Sequence, residues 1–462
     1  MQPGKTVILC LDTLGDLTLR QPLFSGLLDA GFQVTVVVRR GYETIVPILD
    51  RRLEVLVTEV NPYSAPGPET LGCLEGLERQ IAERQPEILV SALYDRTYVD
   101  DWLLRRFPGK ERVGLLNPAL GVSPLERWPG LRESVGSLDD TPFEHAVSCG
   151  QDDHESQKNN ALLGAMTGRL ADPYVPTLSP SEEDAARALE ALDGLGLQPQ
   201  RYVFGCPAGT GRTSLKAWPA AAYAELVEHV GRRHGLPVLL TGIASEAPHL
   251  AEVAALCRAK ERPVQTWVGD STQLGLLLGL IRNSRLYLGA DTGPMHFAGA
   301  LGVPVVACFG GGHWPRFLPL AQRSFVATQK LPCFGCGWLC WLDEPMCISR
   351  VSVQPFKDAL DWILSGSPDE RRVDTGEALG ATAEAVLERA RASKRSAVDE
   401  LNQRLAELDA DRQRVIDSIQ ADRLARQEVI DSLGQQLQAQ ERLLRPLPVR
   451  IVLKLLGWLR VV

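Results

Sequence analysis

RLYLGADTGPMHFAGALGVPVVACFG (residues 285–310) contains a complete strand–helix–strand unit. Leu286 to Gly289 and Val303 to Gly310 are near-continuous apolar runs, as expected of parallel strands covered on both faces. Between them Pro294 stands as the first helical residue and Met295 to Leu301 has the length of a short crossover helix. A strand that crosses through a helix to a second parallel strand is the repeating unit of an open α/β sheet.

The same pattern extends outward. Upstream, YVFGC (from Tyr202), LPVLLTG (from Leu236) and VQTWVG (from Val264) read as strands, with helices expected over Ala220–Arg233, Glu246–Arg258 and Thr272–Asn283. Near the N-terminus, TVILCLD (from Thr6), QVTVVV (from Gln33), EVLVT (from Glu54) and PEILVS (from Pro86) repeat it, with a crossover helix expected over Leu17–Leu28. From 152 to 200 the pattern loosens. There Ser179-Pro180-Ser181-Glu182 has the order of a capping box opening a helix over Ala185–Leu195. The expectation is an α/β chain of two facing Rossmann-like domains, residues 1–175 and 176–367, with ligands in the cleft outside the carboxyl ends of the strands.

The 462 residues are 45% hydrophobic and 23% charged, ordinary values for a globular chain of two or three domains. With 49 Lys and Arg against 57 Asp and Glu, the net charge of −8 argues against a nucleic-acid partner. No run approaches the roughly 18 apolar residues of a membrane span. The longest candidate, Leu274 to Ile281, carries glycines. The apolar stretch from Val7 is cut by Asp12 and Asp16, unlike a signal peptide. The expectation is therefore a cytoplasmic chain whose ten cysteines are thiols or ligands rather than disulfides.

After Ser367 the composition changes. Residues 381–445 contain no proline and one glycine, and apolar residues recur at Val398, Leu401, Leu405, Leu408, Val415, Ile419, Val429, Leu433 and Leu437. This spacing predicts a long helix with a coiled-coil seam and a homo-oligomer built on it, although Arg412 and Arg426 fall on the seam. A solvated single helix is the rival reading. The last segment, 447–462, is apolar with Arg450, Lys454 and Arg460 along one side. That pattern fits a basic amphipathic helix on an anionic membrane surface, or a helix packed on its own protein.

Three stretches could carry chemistry. Gly15-Asp16 follows the first strand and opens the first helix: glycine permits close backbone approach, and Asp16 is either a functional carboxylate or a helix cap. In Asp291 to His296 the strand feeds a helix N-terminus. Thr292 offers a hydroxyl, Gly293 close approach, Pro294 a preset first turn, and Met295 and His296 complete that turn. Free N–H groups there would cradle a diphosphate. In Pro207 to Pro219, Thr210 and Lys216 lie on a glycine-containing loop that has neither a Walker A nor a GxGxxG pattern.

Taken together, the Leu14-Gly15-Asp16 stretch, KAWP at Lys216 and above all DTGPMHFAGALGVPVVACFG from Asp291 resemble glycosyltransferase family 9, the ADP-heptose–lipopolysaccharide heptosyltransferase family, over roughly residues 5–365. The resemblance implies a GT-B fold with the acceptor bound by the first domain and the nucleotide-sugar by the second. It implies Asp16 as general base, Thr292, Gly293, Pro294, Met295 and His296 as the loop holding the donor diphosphate, Lys216 as a phosphate-neutralising cation, and Glu246 near the donor nucleoside. The reaction implied is inverting and metal-independent, carrying heptose from ADP-heptose to a glycolipid acceptor at the inner membrane face. The one Asp-x-Asp pattern, Asp409-Ala410-Asp411, lies in the expected coiled coil. The chain departs from the family pattern at Gly310 to Phe317, GGGHWPRF, and at Pro207-Ala208-Gly209. These departures keep two rivals open: a family member that glycosylates a protein or uses another nucleotide-sugar, and an inactive GT-B-shaped binding protein.

Cys333, Cys336, Cys340 and Cys347 begin with metal-ligand spacing, so a structural zinc or iron site is one expectation, and free thiols or transient disulfides are the others. The family resemblance adds to the metal reading, since related autotransporter heptosyltransferases hold iron with four cysteines.

Overall fold

A computed structural model describes residues 1–443 apart from 121, 139, 210–213, 263, 341, 343, 367 and 377–380. The basic segment 447–462 lies outside the described residues. Residues 1–384 form one compact unit and 385–462 a second.

The first unit holds two fully parallel sheets. One is made of β1 (Lys5–Leu9), β2 (Gln33–Arg39), β3 (Glu54–Thr58), β4 (Ile88–Ser91), β5 (Glu111–Leu116) and β6 (His145–Ser148), in the order β3-β2-β1-β4-β5-β6. The other comprises β7 (Val203–Cys206), β8 (Val238–Ile243), β9 (Gln265–Gly269), β10 (Leu286–Ala290), β11 (Val305–Cys308), β12 (Ser324–Ala327) and β13 (Arg371–Asp374), ordered β13-β12-β11-β10-β7-β8-β9. Both are doubly wound, and in each the order reverses once, between β1 and β4 and between β7 and β10. That is where such sheets bind ligands.

Burial explains the strand pattern. Val7 and Leu9 pack into one apolar cluster and Ile8 and Cys10 into another, so both faces of β1 are covered. Leu286 and Leu288 of β10 likewise face away from Tyr287. The cluster holding Ile8 and Leu17 continues to Met295 and Phe297, so one apolar core runs through both lobes.

Several expectations change. The first crossover is two helices, Leu14–Leu19 and Gln21–Asp29, because Pro22 has no N–H with which to continue the ladder. Between them Arg20 is buried and pairs with Asp12 at 2.5 Å. The helix after residue 180 spans Glu182–Gly194 and is capped by Ser181, whose hydroxyl accepts from the Asp184 N–H at 3.1 Å. Ser179 is instead held through its backbone N–H by the Ile48 carbonyl. The second sheet extends beyond residue 367, since β13 pairs with β12 at Ser324↔Arg371. β5, β6, β12 and β13 were not legible as strands; β6 and β13 are short and largely exposed and lack the continuous apolar run.

The apolar run at 274 is the Leu274–Arg282 helix, packed on Glu182–Gly194. Its glycines mark the contact: a Cβ on Gly279 would lie 2.4 Å from that of Ala188. Among the described residues no helix is long and apolar enough to cross a membrane. The second unit carries most of the Ala381–Leu443 helix, 63 residues in all.

Arg20→Met strands Asp12 as a buried charge without its partner. The expected cost is about 3–5 kcal/mol, read by chemical denaturation. Full stability in this variant would mean that the pair does not hold the first crossover.

Candidate active site

The site is assembled from the loops at the carboxyl ends of β1, β7 and β10. After β1, Thr13 is the N-cap of the Leu14–Leu19 helix, and Asp16 closes a capping box. The Thr13 backbone N–H and hydroxyl both donate to Asp16 Oδ2, at 3.0 and 2.5 Å. The cap reading of Asp16 therefore holds structurally. The bonds also fix its carboxylate at the lobe boundary, in a half-buried position.

After β10, Thr292 is the N-cap of the Gly293–Ala300 helix and leads the chain into it in an extended conformation. Its hydroxyl points inward, 3.1 Å from the Tyr287 hydroxyl. The Thr292 side chain is thus occupied within the core, and what the loop turns outward is backbone. Met295 is fully buried, so its side chain serves packing.

The two helix starts meet. A Cβ on Gly15 would come within 3.0 Å of His296 Cδ2 and 3.4 Å of Gly293 Cα. Glycine at 15 lets the first lobe's helix close on the second lobe's helix. His296 is buried in this contact, edge-on to Phe317, and its Nδ1 has no partner among the described residues. Burial lowers its imidazole to about 4, with Asp291 and Asp16 pulling weakly the other way.

Lys216 reaches this loop from the segment after β7. Its Nζ donates to the Asp291 carbonyl at 3.0 Å and lies 3.2 Å from Asp291 Oδ2. Gly209 makes room for it, because a Cβ there would sit 2.4 Å from that of Lys216. Thr210 lies outside the described residues. Glu246 stands apart, just beyond the carboxyl end of β8. Its Oε2 accepts from the Ile243 N–H at 3.0 Å, while the buried Oε1 has no partner among the described residues. Burial raises the pKa of this carboxyl.

Two groups were missed from sequence. Trp338 lies over Lys216, with Nζ 4.5 Å from the ring centroid. Arg316 joins the lobes: it bonds Asp95 Oδ2 at 2.6 Å and Glu155 Oε2 at 3.2 Å. The residues involved are too distant in the chain for spacing to reveal either contact.

Trp338 also ties together two oddities of the sequence. A Cβ on Gly310 or Gly312 would strike its ring at 2.6 and 2.3 Å, and one on Gly311 would strike Phe334 at 2.3 Å. The Gly335 and Gly337 N–H groups donate to the Gly311 and Gly312 carbonyls. The glycine triplet is the bed on which the cysteine-bearing segment lies. Among the described residues no three of Cys333, Cys336, Cys340 and Cys347 bring their sulfurs within 4.8 Å of one another. Burial pushes the Cys347 thiol up to about 11. The four lie on a loop packed against the glycine triplet, and Cys347 is electrostatically coupled to the other three.

Comparison with known proteins follows the same lines. A sequence profile for glycosyltransferase family 9 (heptosyltransferase) matches residues 141–337. The chain is 30% identical over 184 residues to lipopolysaccharide heptosyltransferase 3 of Escherichia coli (strain K12), covering 39% of this chain and 52% of that protein. It thus spans about half the length of that relative. It is 26% identical over 337 residues to lipopolysaccharide heptosyltransferase 2 of Salmonella typhimurium (strain LT2), covering 70% of this chain and 87% of the relative. The solved structure of the Escherichia coli ADP-heptose lipopolysaccharide heptosyltransferase II superposes with a TM-score of 0.57 at 19% identity, covering 78% of this chain and 98% of that one.

The neutral, buried His296 makes the lobe contact acid-sensitive. A depressed imidazole stays unprotonated in the folded state while the unfolded chain takes up its proton near pH 6.5. Its contribution to stability is intact above that pH and is lost as pH falls toward 4. Unfolding free energies from denaturant melts should decline over that window by up to about 1.4 kcal/mol per pH unit, and His296→Asn should flatten the slope. Equal slopes in both proteins would remove His296 as the cause.

Proposed function

We propose that this chain, which belongs to glycosyltransferase family 9, transfers a heptose from ADP-heptose to a lipopolysaccharide-type glycolipid acceptor. One observation carries the reading: the Asp16 carboxylate of the first lobe and the anion-binding loop of the second stand on abutting helix starts.

The chemistry follows from that juxtaposition. An acceptor hydroxyl attacks the anomeric carbon from the face opposite the nucleoside diphosphate, which inverts its configuration. Asp16, oriented by its bonds from Thr13, takes the hydroxyl proton. Negative charge grows on the departing diphosphate. It is met by the N–H groups at the start of the Gly293–Ala300 helix and by the Lys216 ammonium beside Asp291. These fixed dipoles and one cation perform the charge stabilisation that a divalent ion supplies elsewhere. Glu246, with one oxygen unpartnered, suits the hydroxyl groups of the donor nucleoside. An acceptor anchored in lipid places the reaction at the cytoplasmic face of a membrane, which Arg450, Lys454 and Arg460 would favour.

A different sugar on the same nucleotide is the second reading. It is favoured by the Gly310–Phe317 segment and by Trp338, which rebuild the wall next to Lys216. Thermal-shift screening of nucleotide-sugars separates the two readings, because the true donor raises the melting temperature most.

Asp16→Asn keeps an oxygen to accept from the Thr13 N–H but cannot take a proton. Turnover should fall by about 10²–10⁴, with nucleoside-diphosphate affinity retained in calorimetric titration; unchanged turnover removes the base role. Lys216→Ala should weaken donor affinity roughly tenfold or more, as loss of a charge-assisted contact does, and leave acceptor KM nearly unchanged. Unaltered donor binding would contradict the assignment of Lys216.

A further inference from the structure

Along the Ala381–Leu443 helix a stripe of apolar side chains stands in solvent: Leu408 is 63% exposed, Val415 58%, Ile419 63%, Val429 58% and Leu433 53%. A single helix this long gains nothing from such a stripe. The stripe follows a heptad. Val398, Arg412, Ile419, Arg426 and Leu433 occupy one seam position, and Leu401, Leu408, Val415, Asp422, Val429 and Gln436 the other. Within it lies a repeat two heptads long, RQRVIDSIQADRLA (412–425) followed by RQEVIDSLGQQLQA (426–439).

Three charged residues on the seam discriminate among pairings. In a parallel, in-register pair Arg412 would face Arg412, Asp422 would face Asp422 and Arg426 would face Arg426, and like charges stacked in the seam oppose association. In an antiparallel pair each residue of the first seam position faces one of the second. With the two-fold axis at the level of Leu424, Arg426 faces the second copy's Asp422, Ile419 faces Val429, Leu433 faces Val415 and Arg412 faces Gln436. Sliding this pairing one heptad either way sets Arg426 against Val415 or Val429 and Asp422 against Ile419 or Leu433. Each slip buries a charge against an apolar group. Ile416, half-buried, and Ile430, exposed, lie beside the seam and also face each other only in the centred register. Arg423 flanks the axis, where a long side chain stays hydrated.

We propose that the Ala381–Leu443 helix pairs with the same helix of a second copy of this chain, antiparallel and centred on Leu424, with reciprocal Arg426–Asp422 layers fixing orientation and register. In the single chain these two residues already approach to 2.7 Å along one helix, both well exposed. Pairing turns that local ion pair into a four-charge cluster across the axis.

Cross-linking of the full-length protein tests orientation. Val415→Cys and Leu433→Cys chains, mixed and oxidised, should give a covalent dimer whose disulfide maps by peptide mass to 415–433. Val415→Cys alone should give no 415–415 disulfide. A 415–415 disulfide, or a wild-type chain that sediments as a monomer at tens of micromolar, overturns the proposal. Charge reversal tests register, with circular dichroism reporting that the helix persists. Arg426→Asp should weaken the dimer by about tenfold or more, and the double exchange Asp422→Arg/Arg426→Asp should restore it. A dimer indifferent to Arg426→Asp, or one that the double exchange fails to rescue, rejects the Arg426–Asp422 layers.

Discussion

Two helix N-termini facing each other across the lobes are the constraint on which the rest depends. Each start carries unsatisfied N–H groups and a positive partial charge, so bringing them together is unfavourable unless negative charge lies near. Gly15 makes the approach sterically possible, because a methyl there would press on His296. Asp16 supplies one negative charge in the first turn of its helix. The remaining demand is for an anion, which the diphosphate of the proposed donor would answer. The proposed chemistry and the lobe contact would thus draw on the same electrostatics, and the neutral His296 fills the contact without adding to the positive charge.

Around that contact the second lobe is built to hold one loop rigid. Lys216, Trp338 and the Gly310–Gly312 run form a stack: the aromatic segment lies on the glycines, Trp338 lies over the ammonium, and the ammonium binds the Asp291 loop. Two unusual features of the chain, a glycine triplet and a cysteine-rich segment, are two sides of one packing solution. The four cysteines follow from it as thiols in a loop whose aromatic residues do the packing.

Arg316 gives the second connection between the lobes. It is buried, paired with Asp95 and Glu155, and stacked near Tyr94 at 5.1 Å. Paired carboxylates offset the cost of burying its charge, and the planar guanidinium suits a position with two acceptors on the facing lobe. The site is therefore bordered on one side by a glycine contact and on another by an ionic one.

The apolar runs at β1, β2, β7 and β10, and the helices between the later strands, were legible because a doubly covered parallel strand leaves an unbroken hydrophobic stretch. The Asp291–His296 loop and Gly15-Asp16 were legible as candidates for chemistry, since each places glycine and polar groups at a strand's carboxyl end. Sequence by itself determined the α/β class, the doubling of the lobes, the long C-terminal helix and the residue types at the site. Tertiary structure alone decided that Thr292 turns its hydroxyl inward, that Trp338 covers Lys216 and that Arg316 spans the lobes. The physical reason is range. Periodicity and capping are set by neighbours along the chain, whereas each of these outcomes depends on surfaces that become adjacent only when the sheets and their crossovers have packed.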